Sequence, residues 1–156
     1  MTVAYVGIGS NLDDPRTHVL QAFKELDQVP HTRVVKRSAL YRSAPHGHAG
    51  QPDFVNAVAE LETGLPAERL LAELQEIEAR HGRRRSFPNA PRTLDLDVLL
   101  FGGASLALPA LTIPHPRMHE RAFVLKPLVE ISPELRERFK AALEACADQK
   151  IERIDG

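Results

Sequence analysis

The hydrophobic period switches repeatedly between strand-like and helix-like along the chain, and that succession restricts the fold more than any single motif. TVAYVGIG, residues 2–9, is an apolar, β-branched run ending in glycines. The SNLDDP that follows has turn chemistry, with Asp14 expected as an N-cap and Pro15 at the first helical position. Val19, Phe23 and Leu26 then recur at helical spacing until Pro30 ends the run. TRVVKRSALYRS, residues 32–43, reads as a second strand, and the loop APHGHAGQP follows it. DFVNAVAELET, residues 53–63, alternates cleanly: Val55, Ala57, Ala59 and Leu61 share one face, and Phe54, Asn56 and Val58 the other. From Pro66, the residues Leu70, Leu71, Leu74 and Ile77 form one helical stripe that stops at Gly82, a suitable C′ residue. LDLDVLLFGG closes the series as a strand.

The order β-α-β-β-α-β predicts an α+β, ferredoxin-like fold with a mostly antiparallel sheet. Two helices can cover one face. RMHERAFVLKPLVEI and SPELRERFKAALEAC downstream have helical patterning and are expected on the other, which gives a three-layer α-β-α sandwich. A chain of 156 residues is enough for a single domain, residues 1–156, with a substantial core. Twenty basic and 21 acidic residues leave a formal charge of −1, so neither nucleic acid nor an anionic membrane is an expected partner. The single cysteine, Cys146, excludes an intrachain disulfide and a cysteine-rich zinc site. With no leader-like or membrane-spanning run, a cytoplasmic protein is expected.

Asp95 and Asp97 interrupt the last strand and, with Leu99, point to one face, while Leu94, Leu96, Val98 and Leu100 point to the other. Two ionised carboxylates roughly 6.5 Å apart repel by about 2.5 kcal/mol at an effective dielectric near 20. Something positive is needed there. GIGSN, residues 7–11, follows a strand and precedes a helix, but Leu12 stands where a dinucleotide fingerprint needs its third glycine, and no phosphate-loop lysine motif occurs. Pro114 and Pro116 keep His115 and His119 off a shared helical face, so histidine ligation of zinc is not expected. Arginines are more informative: Arg83 to Arg85 and Arg92 flank the loop before the acidic strand, and Arg121 lies further on. Alone, each feature also fits a solvated helix end or a charge-guarded edge strand. Together they suit a polyphosphate, because carboxylate oxygens bind Mg²⁺ and guanidinium forks bind phosphate.

APRTLDLDVLLFG, TIPHPRMHERAFVLKPL, AYVGIGSNL and LYRSAP with QPDFVNAV closely resemble the corresponding stretches of the 6-hydroxymethyl-7,8-dihydropterin pyrophosphokinase family of folate biosynthesis. The resemblance runs in order from Thr2 to Glu134 and implies a ferredoxin-like fold. It implies transfer of the β,γ-diphosphate of ATP to the hydroxymethyl group of the pterin, leaving AMP. Asp95 and Asp97 match the family's ligands for two Mg²⁺ ions. Arg83 and Arg92 match its phosphate-contacting arginines, with Arg85 a second contact from the same loop. Gln75, Glu78, Thr112, His115 and Arg121 match positions on the ATP side. Phe54 and Phe123 match the pair that stacks on the pterin, and Asn56 the asparagine that reads its edge. Main-chain groups around Ser43, Ala44 and His46 complete the pocket by the same analogy.

Asn89 stands where many relatives have a tryptophan, Ala110 where some have an arginine, and Pro116 where some have an aromatic residue. The loops APHGHAGQP and HGRRRSFPNAP are long enough to act as lids. No general base is evident beside the hydroxymethyl position, so positioning and charge stabilisation are expected to carry the rate. A monomer is expected. Two alternatives share parts of this pattern: another Mg²⁺-dependent transferase with a D-x-D site, and a noncatalytic ferredoxin-like ligand-binding domain.

Overall fold

The computed structural model describes residues 1–44, 50–82 and 93–154. Its strands are β1 (Thr2–Ser10), β2 (Thr32–Arg37), β3 (Leu40–Ser43), β4 (Phe54–Thr63) and β5 (Asp95–Phe101), then β6 (Leu106–Ala107), β7 (Thr112–Ile113) and β8 (Ile151–Ile154). The helices are α1 (Pro15–Leu26), α2 (Ala67–Arg80), α3 (Ala122–Ile131) and α4 (Lys140–Ala145). The main sheet runs β5-β1-β4-β3-β8, with β2 also on β4, and its recorded pairings are antiparallel. β6 and β7 form a small separate hairpin.

Alternation in the strands separates two cores. Ala4, Val6 and Ile8 of β1 and Val55, Ala57, Ala59 and Leu61 of β4 pack under α1 and α2, against Phe23, Leu70, Leu74 and Ile77. Tyr5 and Val58 face the other way, into a cluster with Leu125 and Leu128 of α3, Phe139 and Cys146. Helices on both faces of an antiparallel sheet make the fold the three-layer, ferredoxin-like α+β arrangement that the sequence order implies.

Four local readings need correction. Residues 32–43 form two strands, not one, because Ser38, Ala39 and Leu40 lie opposite only Val58 and Ala57. At this break Ser38 N donates to Val58 O at 2.9 Å, and the Ser38 hydroxyl accepts from Val58 N at 2.9 Å, replacing a ladder carbonyl. In β5 a register shift between Tyr5↔Leu100 and Val6↔Val98 makes Leu99 an extra residue. Leu100 therefore joins Leu99 in the α3 core rather than Leu96 and Val98 in the first. Asp14 occupies the N-cap position with Pro15 behind it, but at φ 67° its carboxylate caps no backbone N–H and instead accepts from Thr17 Oγ1 at 2.7 Å. The two downstream helical runs each begin with a 3-10 turn, Met118–Glu120 and Pro133–Leu135, before α3 and α4.

Candidate active site

β1 ends in the middle of the sheet, between the beginnings of two strands that run opposite to it. Gly9 pairs with Asn56 of β4 on one side and Asp95 of β5 on the other, and Gly7 pairs with Asp97. This register brings the acidic strand and the Phe54–Asn56 strand to the same end of the same face. A cleft of about 230 Å³ opens there. Its acidic wall is Asp95 and Asp97, its far wall Ser43, Ala44, Phe54 and Asn56, and its roof Arg117, Glu120, Arg121, Phe123 and Val124.

The floor is a bare strip of backbone. Gly7 and Gly9 lie two apart in β1, so both present only hydrogen to the cleft side. A Cβ at Gly9 would stand 3.2 Å from Asn56 Nδ2, and one at Gly7 3.3 Å from the Leu99 side chain. Glycine here makes room for the neighbouring side chains.

On the far wall the Asn56 amide is buried, at 4% exposure. Ser43 Oγ donates to Asn56 Oδ1 at 2.7 Å. Phe54, two residues back on the same face, is half-buried. Phe123 enters from the first turn of α3, and the Arg121 guanidinium lies 5.5 Å from its ring centroid. Two partly exposed aromatic rings and an amide suit a flat heterocycle with a polar edge.

On the acidic wall Asp95 and Asp97 are both half-buried. His115 Nε2 lies 3.9 Å from Asp97 Oδ1. The His115 backbone N–H donates to Leu99 O at 3.0 Å, and its ring Nδ1 accepts from Arg117 N at 3.2 Å. With Nδ1 accepting, the neutral ring carries its proton on Nε2, towards Asp97. Burial lowers the His115 pKa below its usual 6.5, and Arg121 and Arg117 lower it further against the opposing pull of Asp95. The imidazole is therefore mostly neutral at pH 7, so it faces Asp97 as a polar group and not as a full positive charge.

Among the described residues no cluster of three or more His, Cys, Asp or Glu side chains is placed to hold a metal ion. A pair of carboxylates fits Mg²⁺, which keeps waters and takes substrate phosphates as its remaining ligands. The oxygen donors of this pair suit that hard ion better than zinc, which favours nitrogen and sulfur ligands.

Just behind the cleft, two fully buried polar residues at the end of β1 tie down neighbouring chain. Ser10 Oγ donates to Thr93 O at 2.5 Å, at the entrance to β5. Asn11 Nδ2 donates to Gln51 Oε1 at 3.1 Å and to Pro52 O at 3.2 Å, at the entrance to β4.

The structure thus assembles Ser43, Ala44, Phe54, Asn56, Asp95, Asp97, Arg121 and Phe123 around one cleft, with His115 beside it. Gln75, Glu78 and Thr112 do not line it. Gln75 is exposed on α2, and Thr112 is exposed in β7. Glu78 is buried, at 6% exposure, and its Oε2 accepts from Leu96 N at 2.8 Å, so one job of this carboxylate is to fix the backbone between the two aspartates. Arg83, Arg85, Arg92 and His46 lie outside the described residues. Sequence reasoning missed Gly7, Gly9, Arg117 and Glu120 as lining residues. Glycines at strand spacing were a usable signal for the floor, since two missing side chains on one face leave a groove.

The pattern of the 7,8-dihydro-6-hydroxymethylpterin-pyrophosphokinase family matches residues 5–133. The 2-amino-4-hydroxy-6-hydroxymethyldihydropteridine pyrophosphokinase of Pseudomonas aeruginosa is 47% identical over 156 residues, covering 97% of this chain and 96% of that protein. The enzyme of the same name from Bacillus subtilis is 40% identical over 152 residues, covering 97% and 89%. In fold, the chain is similar to Plasmodium falciparum HPPK-DHPS crystallised with pteroate, with a TM-score of 0.71 at 13% identity over 96% of this chain. It spans 44% of that longer protein. Residue pattern, fold and relatives agree: the chain belongs to the 7,8-dihydro-6-hydroxymethylpterin-pyrophosphokinase family.

Proposed function

We propose that this chain transfers the β,γ-diphosphate of ATP to the hydroxymethyl group of 6-hydroxymethyl-7,8-dihydropterin. The observation that carries this reading is the single cleft in which a carboxylate pair faces an aromatic–amide wall across two bare glycines. One end suits a magnesium-bound polyphosphate, the other a flat heterocycle.

Phe54 and Phe123 hold the pterin ring, and the Asn56 amide meets its edge. That leaves the hydroxymethyl oxygen directed at the acidic wall. Asp95 and Asp97 would hold two Mg²⁺ ions, which supply charge neutralisation along the triphosphate when bound. Arg121, with Arg83, Arg85 and Arg92, contacts phosphate oxygens by planar forks. The hydroxymethyl oxygen forms a bond to the β-phosphorus as the bond from that phosphorus to the α-phosphate oxygen breaks. AMP departs, and the hydroxyl proton is lost to solvent or phosphate. With both reactants held in line, the chain contributes chiefly orientation and charge stabilisation. A lone thiol at Cys146 suits a reducing cytoplasm.

Incubating the chain with ATP, Mg²⁺ and the hydroxymethyl dihydropterin, and identifying products by mass, tests the reaction. AMP and the pterin diphosphate in equal amounts are expected. ADP, orthophosphate or free pyrophosphate in their place would contradict it.

A further inference from the structure

The Asn56 amide has two unlike ends, and the structure holds them differently. Its oxygen lies toward β3, where Ser43 Oγ donates to it at 2.7 Å in a buried setting. Its nitrogen lies toward β1, over Gly9, where any Cβ would stand 3.2 Å from Nδ2. The register enforces this placement, since Asn56 sits directly between Gly9 of β1 and Tyr41 of β3, with Ser43 two residues along. Turning the amide over would put a donor against Ser43. The hydroxyl could then accept, but its own proton would lose the acceptor it uses, and Asn56 is the one partner recorded for that hydroxyl among the described residues. Buried donors left without partners are disfavoured.

Resting on the pterin reading above, we propose that the Ser43 hydroxyl is a positioning residue that fixes the polarity of the Asn56 amide. The site then selects a heterocycle that offers a hydrogen-bond acceptor to Nδ2 and rejects one that offers an amino group there. The amide donor end stands on the side of Gly9, which also pairs with Asp95, so polarity at Asn56 orients the ring relative to the acidic wall. Ser43 acts on the ligand through its hydroxyl as well as through main chain. Its role concerns which way the ring faces, not the phosphoryl chemistry.

The test compares binding of 6-hydroxymethylpterin, which carries a 4-oxo acceptor, with its 2,4-diamino counterpart, which carries an amino donor at that position. Both are titrated calorimetrically with saturating Mg²⁺ and a nonhydrolysable ATP analogue. The wild-type chain is expected to favour the oxo compound by at least about tenfold, the scale of one net hydrogen bond. Ser43→Ala should reduce that ratio towards unity with nucleotide affinity unchanged, and Ser43→Thr, which keeps the hydroxyl, should restore it. Asn56→Asp keeps an oxygen for Ser43 and places a second acceptor over Gly9, so its preference should turn towards the diamino compound. Should Ser43→Ala fail to fold, Ser43→Cys, which keeps the size but is a weak donor, is read in its place and should lower the ratio likewise. An unchanged ratio in Ser43→Ala, or in Ser43→Cys where that chain does not fold, overturns the positioning role, and an Asn56→Asp chain that still favours the oxo compound overturns selection by the polarity at Asn56; the pterin reading stands in both cases. A wild-type chain that binds neither heterocycle overturns both.

Discussion

Asp97 keeps 35% of its side chain exposed in the cleft and is a member of neither hydrophobic core. Asp97→Ala is therefore expected to lower Mg²⁺-dependent turnover by at least about a hundredfold, through lost charge stabilisation. Its urea-unfolding midpoint should stay close to wild type, and steady-state kinetics beside denaturation curves check both halves. His115 supplies a second expectation. Its pKa is lowered by burial first and by Arg121 next, so its NMR titration midpoint should fall below 6.5, and Arg121→Gln should move it part of the way back. A histidine with a depressed folded-state pKa favours the fold above pH 6.5, and that contribution is lost as pH falls through the folded value. At this scale the sequence was readable where local alternation sufficed: Phe54 with Asn56, and Asp95 with Asp97, share their faces as expected. The hydroxyl bond from Ser43 to Asn56 and the Glu78 carboxylate on Leu96 N were not readable, because both depend on which elements become neighbours.

α3 brings Phe123 to the cleft, and its far end is tied to the sheet by buried polar groups. Tyr5 OH lies 2.9 Å from both Glu60 Oε1 and Ser132 Oγ, and Tyr41 OH donates to Glu130 Oε1 at 2.6 Å. Removing the first tie by Tyr5→Phe leaves Glu60 and Ser132 short of a partner and should cost about 1–3 kcal/mol. Burial, with Glu60 adding to it, pushes the Tyr5 pKa up to about 12, and burial with Glu130 does the same for Tyr41. A phenol whose folded-state pKa is raised stabilises the fold fully below its unfolded value near 10, and the contribution is lost as pH rises through about 12. Urea unfolding at successive pH values from 9 upwards should show this alkaline loss, reduced in Tyr5→Phe. Element types were legible from period, but breaks and edges were not. The extra residues at Ser38–Leu40 and at Leu99 reverse a face within an otherwise regular run, which periodicity cannot register. β8 escaped notice because Ile151 and Ile154, three apart, pack on opposite cores and leave no alternating signal.

On the scale of the whole molecule, the sheet separates a core under α1 and α2 from a smaller one under α3 and α4, and the cleft opens where the second core stops short of the strand ends. Leu125, fully buried in the second core, holds α3 against the sheet. Leu125→Ala should cost about 2–5 kcal/mol in urea unfolding, the range for emptying such a site. The three-layer plan was legible because the order of periods leaves few ways to bury every apolar face. The meeting of the two half-sites was not, since it needs the register that sets Gly9 between Asn56 and Asp95. That meeting is the central claim, and crystals grown with Mg²⁺, a nonhydrolysable ATP analogue and 6-hydroxymethylpterin test it most directly. Cations on Asp95 and Asp97, with the ring between Phe54 and Phe123 and its edge on Asn56, are expected. Cations held elsewhere, or a ring bound outside this cleft, would contradict the account.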